Sequence, residues 1–425
     1  MRANQFMVMP PILLLVLLIF VYVCDANAAL RVGASAASVS PQQQVFLAGY
    51  DRNRRSDGEH DPVFAKAVVV TDAHSAIAIV VIDCIGLLYP DVVRIRERAG
   101  QLLNGGLLSP EQIIVTSTHT HAGPDVAGLW GAHIFSNGRD EAYIDFLVET
   151  AARQVVNALA QLQPATLRVA SAQAELSWVE NRSEPGLLDN TITTVQFINP
   201  TGRSIATLTN FPCHPTVLGP ENHLLSSDYV GGFYQAMDQR HGGANLFLQG
   251  AIGGWVQPLQ GDRSFTLATD YGELLAQIST ALLLEAESIR TPALEFTAAT
   301  LDLPLENFGF KLLMFLGVLD REIFAGHLRT EVAWFSIGGI QFATHPGETS
   351  PAYSLATREL MGNPDHSVIL GLGLDALGYI LKPEYFETPE EFPHAEYLTT
   401  VSVGPHSAPE LMAALAKIIP DQSNL

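Results

Sequence analysis

Two histidines that stand two residues apart are the strongest chemical signal in this sequence. His119 and His121 lie in the stretch VTSTHTHAGPD, residues 115–125, among four hydroxyl side chains and ahead of a Gly-Pro turn. Neutral imidazole is a common metal ligand and a general base that titrates near neutral pH. In an extended backbone, residues i and i+2 face the same side, so both rings would face one point. The stretch predicts a metal or acid–base site, the alternative being ordinary surface or core histidines.

Two further potential ligands also follow predicted strands. His214 comes shortly after a predicted strand at residues 204–211, and Glu348 shortly after one at residues 340–344. Each lies next to Gly or Pro, and Gly123-Pro124 likewise follow the two histidines of THTH. Side chains from separate strands can meet at one rim of a sheet, and a catalytic zinc ion needs three protein ligands and an open position. The sequence therefore predicts a zinc site that contains His119, His214 and Glu348.

The elements that must position these residues alternate along the chain. Apolar runs at residues 65–71 and 76–83 predict a hairpin, and a helix beginning near Asp91 leads to a strand at residues 113–116. Strand, helix and strand in this order form a βαβ unit with a right-handed crossover. Further hairpins are predicted around Asn199 to Gly202 and at Gly338-Gly339. The predicted fold class is mixed α/β: one large domain with mixed β-sheets flanked by helices.

The composition excludes some classes of protein. The chain has 425 residues, 48% of them apolar, and a formal net charge of −21. An acidic protein of this kind is not expected to bind nucleic acid, because phosphates would repel it.

The first 28 residues are predicted to be a signal peptide. An apolar run at residues 12–24 is shorter than the roughly 20 residues that cross a membrane, and Ala26-Asn27-Ala28 fits a small-x-small cleavage site. We therefore expect cleavage after Ala28 and an exported protein, secreted or periplasmic; an uncleaved anchor is the alternative.

Two other features leave alternatives open. Cys84 and Cys213 each follow a predicted strand, so a disulfide between them is compatible with the sequence but not established by it. The stretch at residues 310–324 is unusually apolar. It predicts a buried core helix, and the alternative is a surface that admits lipid or makes peripheral contact with a membrane.

Several longer stretches resemble the neutral/alkaline non-lysosomal ceramidase family. The similarity includes RVGASAASVSP, GEHDPVFAKAVVV, THTHAGP, NHLLSSDYVGG, HPGE and DALGYILKPEYF. It extends over nearly the whole chain after residue 30, and THTHAGP at residues 118–124 is its most specific part. The resemblance implies a catalytic domain at residues 29–425, without the C-terminal β-sandwich domain of the ceramidases.

The resemblance also implies a site with one zinc ion per chain. Carried over by motif, the ligands are His119 from THTH, His214 from CHPT, Glu348 from PGE and Tyr379 from GYI. Zn²⁺ lowers the pKa of its water to about 7, which supplies a nucleophile for an amide carbonyl. The implied substrate is an amphiphilic N-acyl lipid of the ceramide type.

Three residues would assist this chemistry. His121 would stand beside the metal as an acid/base that protonates the leaving amine, although which of His119 and His121 is the ligand stays open. Arg182 would help to stabilise the oxyanion, and Tyr379 would contribute to catalysis as well as to metal binding. The alternatives are a surface charge for Arg182 and a core position for Tyr379.

One stretch departs from the family. Where ceramidases carry NAGDxSPN, this chain has GAIGGWVQP at residues 250–258, without the aspartate and the serine. Metal-activated water needs no serine, but the change bears on specificity for ceramide. Two further hypotheses therefore remain: a zinc hydrolase of the same fold that acts on another ester or amide, and a binding protein without catalytic activity.

Overall fold

The computed structural model describes residues 30–72, 74–174, 177–289 and 293–421. The predicted signal peptide, residues 1–28, lies outside the described residues. Among the helices in these ranges, none combines the length and the apolar character that crossing a bilayer requires.

The strands are given in chain order: β1 (Arg31–Ser38), β2 (Gly58–Glu59), β3 (Phe64–Thr71), β4 (Ala76–Ile82), β5 (Ile113–Ser117), β6 (Gln163–Pro164), β7 (Thr166–Gln173), β8 (Val179–Asn181), β9 (Thr191–Ile198), β10 (Ser204–Phe211), β11 (Leu224–Leu225), β12 (Ala244–Gln249), β13 (Val256–Pro258), β14 (Glu287–Ile289), β15 (Leu294–Pro304), β16 (His327–Ile337), β17 (Ile340–His345), β18 (Glu348–Thr349), β19 (Ser367–Gly371) and β20 (Tyr379–Ile380). The α-helices are α1 (Tyr89–Leu103), α2 (Glu141–Ala160), α3 (Tyr229–His241), α4 (Phe265–Glu285), α5 (Phe308–Phe315), α6 (Pro351–Met361), α7 (Glu384–Glu387), α8 (Ala395–Thr400) and α9 (Ser407–Ile418).

The first sheet has the strand order β5-β4-β3-β1-β6 and carries helix α2, against which α1 packs. The predicted hairpin β3–β4 is antiparallel, and β4 pairs with β5 in parallel across α1, which confirms the predicted βαβ unit. Helix α2 begins where the Asp140 carboxylate accepts hydrogen bonds from the backbone N–H groups of Ala142 and Tyr143.

The second sheet has the order β12-β10-β9-β7-β14, with the predicted hairpin β9–β10 and a parallel pair β10–β12. The third has the order β15-β16-β17-β19, with a parallel pair β17–β19. Its hairpin turns at Gly338 and Gly339, whose φ angles of 61° and 90° are the positive values that a type I′ turn requires. Helix α4 packs on the second sheet and α9 on the third.

Strands β5, β12 and β19 are the edges at which the three sheets meet. The Thr116 hydroxyl donates to the Gly371 carbonyl oxygen at 2.9 Å, and the Gln249 amide donates to the Thr118 carbonyl oxygen at 2.9 Å. Each of these strands runs parallel to its neighbour, so the carboxyl ends of strands from all three sheets lie together. The mixed α/β class is confirmed, but the expectation that one sheet would supply the whole rim is wrong.

Helix α5 differs from the prediction of a buried core helix at residues 310–324. None of its residues is buried, and Phe308, Phe315 and the following Phe324 are 76%, 85% and 71% exposed. The two cysteines also prove to be separate: Cys84 and Cys213 are both buried and free.

Candidate metal centre

The two histidines of THTH converge by a turn rather than by strand alternation. Strand β5 ends at Ser117, and His119 has a φ of 71°, in the left-handed region that a non-glycine residue seldom adopts. The His119 N–H donates to the carbonyl oxygen of Cys84 at 2.9 Å, which holds the turn. The ring centroids of His119 and His121 are 4.9 Å apart. The expected convergence is present, but the extended backbone proposed as its cause is wrong.

His119 and His214 share a hydrogen-bond pattern that fixes their tautomers. The Nδ1 atom of His119 lies 2.5 Å from the Ile85 carbonyl oxygen, and Nδ1 of His214 lies 2.7 Å from that of Val256. A carbonyl oxygen can only accept, so both Nδ1 atoms carry hydrogen, and in the neutral imidazole each Nε2 atom presents a lone pair. Histidines that bind metal characteristically donate their second nitrogen in this way.

Glu348 lies where these two lone pairs meet. Its Oε2 atom is 3.0 Å from Nε2 of His214 and 3.4 Å from Nε2 of His119. When the imidazoles are neutral, their hydrogens are on Nδ1, and a cation between the three groups would take the place of a donated hydrogen. Ligands about 2.0–2.1 Å from a tetrahedral zinc ion are roughly 3.3–3.5 Å apart, close to these distances. The donor set and its spacing therefore fit a divalent cation.

The charge states agree with that fit. Burial lowers the pKa of His214 below its usual value although Glu348 acts to raise it, so His214 is neutral at neutral pH. Burial alone would raise the pKa of Glu348, but attraction to His119 and hydrogen bonds from His119 and His214 outweigh burial and hold it well below its usual range. A buried carboxylate that stays ionised attracts a cation, either a protonated imidazole or a metal ion.

Tyr379 stands beside Glu348 because β18 and β20 pair in parallel with these two residues in register. Its hydroxyl hydrogen-bonds Glu348 and accepts a hydrogen bond from the Trp255 indole N–H at 2.6 Å. Burial, followed by the charge of Glu348, raises the Tyr379 pKa well above its usual value, so the phenol is protonated without a cation. The structure thus brings all four residues of the implied ligand set together.

His121 differs from the other two histidines. Both of its ring nitrogens are buried and have no hydrogen-bond partner among the described residues. Burial, together with His119 and His214, lowers its pKa well below the usual value, so the ring is neutral. One ligand atom from each of the three histidines lies within 4.8 Å of the others. His121 is therefore within the same site but without the carbonyl partner that orients His119 and His214.

Arg182 lies further out. Its guanidinium carbon is 5.8 Å from the centre of the Trp255 ring, its Nε is 3.9 Å from a Glu180 carboxylate oxygen, and its side chain is 36% exposed. It reaches the centre through Trp255, not through a direct contact with Glu348.

An apolar cavity, partly open to solvent, adjoins the centre. His119 and Glu348 form its polar end, and Phe310 and Met314 of α5 form part of its wall. The remaining lining is mostly aliphatic and aromatic and includes Ile85, Leu88, Leu129, Trp130, Leu319, Leu328, Leu372, Val401 and Val403.

Two residues near the centre escaped the sequence analysis. Gln249 is fully buried, and its amide donates to the carbonyl oxygens of Thr118 and Cys213 at 2.9 and 3.0 Å, which links the two histidine-bearing turns. Trp255 holds Tyr379, as described above. A glutamine at the end of a strand is not distinctive, but a tryptophan beside two glycines was a usable signal.

The fold and the site define a class: a mixed α/β protein with a buried candidate metal centre at the end of an apolar cavity. The sequence profile of the family "Neutral/alkaline non-lysosomal ceramidase, N-terminal" matches residues 31–274, more than half of the chain. The chain belongs to this family, and the resemblance seen in the sequence is confirmed.

Individual relatives agree. The chain is 24% identical to a neutral ceramidase of Pseudomonas aeruginosa over 217 residues, which are 47% of this chain and 32% of that protein. The chain therefore matches only about a third of that relative. A structure titled "Ceramidase complexed with C2" superposes with a TM-score of 0.77 and 16% identity, over 92% of this chain and 75% of that one. A crystal structure of neutral ceramidase from Pseudomonas aeruginosa superposes with a TM-score of 0.75 and 18% identity, over 92% of this chain and 74% of that one.

Proposed function

We propose that this protein is an exported, zinc-dependent amidohydrolase that cleaves the amide bond of an N-acyl lipid. The observation that carries the proposal is the convergence of two imidazole lone pairs on the Glu348 carboxylate at the polar end of an apolar cavity. Membership of a ceramidase family supports the reaction type.

Four residues would hold the ion: His119, His214, Glu348 and Tyr379. Bound Zn²⁺ supplies a Lewis acid and an activated water at neutral pH. The Ile85 and Val256 carbonyl groups orient the two histidines, so only their Nε2 atoms are offered to it.

Amide hydrolysis also needs a proton carrier. The carbonyl carbon gains a hydroxyl group, the C–N bond breaks, and the amine nitrogen must gain a proton before it leaves. His121 suits this task because its ring is neutral and both of its nitrogens are unpartnered. It can accept a proton at one stage and return it at the next. Its T-shaped contact with Tyr50, at 4.9 Å between ring centroids, holds the ring beside the other histidines.

The cavity supports an acyl chain as part of the substrate. A hydrocarbon chain offers no hydrogen bonds, and the walls formed by Phe310, Met314 and Leu328 require none. The only guanidinium among the lining residues, that of Arg321, is paired with Asp375 by two contacts of 2.6 Å. An acyl chain in the cavity would place its amide group at His119 and Glu348.

The outer surface of α5 supports contact with a membrane. We define the apolar patch as six exposed residues around α5: Phe308, Leu312, Phe315, Leu316, Ile323 and Phe324. Phe135, 59% exposed, lies on a neighbouring loop that Asn137 joins to Gly317 at 3.5 Å. The inner face of α5 lines the cavity, so a bilayer that covered the patch would deliver lipid to its wall. The net charge of −21 favours zwitterionic over anionic lipid.

A second candidate function is hydrolysis of another ester or amide on the same fold. The observation that favours it is the stretch 250–258, which lacks the aspartate and serine of the ceramidases. Recognition of the leaving group can therefore differ from that of ceramide while the metal chemistry is unchanged.

Purified protein with measured zinc content, tested on a panel of N-acyl lipids, acyl esters and short soluble amides, distinguishes these functions. We expect one zinc ion per chain and the highest kcat/KM on an N-acyl lipid. Faster turnover of short amides or esters would favour the second candidate. Full zinc occupancy without hydrolysis of any member would refute both enzymatic functions and indicate a binding protein.

A further inference from the structure

The turn at residues 250–258 makes contacts that position three of the candidate ligands. The Gly253 N–H donates to the Thr349 carbonyl oxygen at 2.9 Å, directly after Glu348, and a Cβ on Gly253 would lie 2.5 Å from the Glu348 carbonyl oxygen. The Val256 carbonyl oxygen fixes the tautomer of His214. Between these two residues, Trp255 reaches Tyr379. The turn supplies no nucleophile, yet each of its three contacts ends at a candidate ligand or its neighbour.

Trp255 is an unusual residue for its position. Its φ is 62°, directly after Gly254 with a φ of 82°. Two consecutive positive φ angles favour glycine, and a bulky side chain there is a strained exception that is characteristic of functional sites. Glycine would remove the strain, so the indole must compensate for it through its contacts.

The indole itself is well held. Its ring lies 4.7 Å from the His394 ring and 5.4 Å from the Tyr397 ring, measured between centroids. The backbone N–H of Arg182 donates to the backbone carbonyl oxygen of Trp255 at 3.3 Å. Because these contacts fix the ring, its N–H points at the Tyr379 hydroxyl oxygen, which lies 2.6 Å from Nε1.

We propose that Trp255 is a positioning residue that holds the Tyr379 oxygen beside Glu348 for metal binding. This inference rests on the proposed metal centre and concerns only this chain's own residues. An indole N–H can only donate, so it occupies one lone pair of the phenol oxygen and leaves the second lone pair for another partner. Ligands that are oriented by an outer hydrogen bond bind metal more tightly, typically by about 10- to 100-fold.

The test measures Zn²⁺ affinity by competition with a chelator, independently of catalysis. Trp255→Phe keeps an aromatic ring and removes the N–H, and we expect a Kd for Zn²⁺ that is about 10- to 100-fold weaker. The matched control is Trp334→Phe, which removes an indole hydrogen bond of 3.0 Å to Gln341 within the third sheet. That control should leave the zinc Kd unchanged.

A double-mutant cycle with Tyr379→Phe decides whether Trp255 acts through Tyr379. In that background Trp255→Phe should change the zinc Kd by less than about twofold, because its target oxygen is gone. An equal loss in both backgrounds, or an unchanged Kd in Trp255→Phe alone, would overturn the inference. Wild-type protein that binds zinc but hydrolyses nothing would refute the proposed function alone, and wild-type protein that binds no zinc would refute both.

Discussion

Replacing Glu348 with glutamine should destabilise the metal-free protein and remove most of its stabilisation by zinc. The substitution preserves size and removes the charge of a carboxylate that is 7% exposed and faces the Nε2 atoms of His119 and His214. Without metal, the variant loses the interactions with His119 and His214 that hold the pKa of this carboxylate below its usual range. With metal, the only anionic ligand of the proposed set is lost.

The expected magnitudes follow from the size of the protein. The entropy of unfolding, about 2.1 cal/mol/K per residue over roughly 390 residues, gives a change in Tm of about 1.2 °C per kcal/mol. Zinc at 1,000 times its Kd stabilises the wild type by about 4.1 kcal/mol, or about 5 °C. Loss of one hydrogen bond to a charged group, about 1.5–3 kcal/mol, lowers the Tm of metal-free Glu348→Gln by about 2–4 °C. The zinc-dependent shift of the variant should fall below about 1 °C at the same zinc concentration.

Thermal unfolding with and without Zn²⁺ measures these shifts. The matched control is Glu331→Gln, at a carboxylate that pairs with Arg96 at 3.0 Å through both oxygens. Breaking this buried ion pair should cost about 3–5 kcal/mol, or about 4–6 °C, while the zinc shift stays intact. A Glu348→Gln variant that keeps the full zinc shift would refute the assignment of Glu348 as a ligand.

Four further predictions test other parts of the site. Burial lowers the pKa of His345 to about 3, so the unfolded protein takes up this proton first and the stability of the wild type falls as the pH drops below about 6.5. Chemical denaturation measures the free energy of unfolding at pH 8 and at pH 5, and His345→Gln should reduce the difference between the two by about 2 kcal/mol. His214→Ala should lose zinc by elemental analysis, whereas His121→Ala should keep zinc and lose hydrolysis; the converse would exchange their roles. Phe315→Asp should weaken binding to phosphatidylcholine vesicles by about 10- to 100-fold, and Phe146→Asp, an exposed residue on α2, should not; equal effects would exclude a specific patch. Chelation should abolish activity and Zn²⁺ restore it, and a trapped acyl-enzyme would contradict the mechanism.

The local elements could be predicted from the sequence because their signals are local. The turn glycines at 338 and 339 and the βαβ order around α1 both depend on neighbouring residues, and each appears as a specific feature of the structure. Helix α5 was mistaken for a core helix because its composition is apolar on every side. Exposure depends on what packs against a helix, and composition does not contain that information.

The candidate site divides in the same way. The sequence by itself determined that His119, His214 and Glu348 follow strand ends, since turn residues mark where strands stop, and its motifs determined the family. Only the tertiary structure decided that these ends meet where three sheets join, that carbonyl groups fix two histidines but not His121, and that Trp255 holds Tyr379. The physical reason is the separation along the sequence of the residues that determine each feature. Strand ends are set by residues a few positions apart, whereas the meeting of β5, β12 and β19 results from packing between residues more than a hundred positions apart.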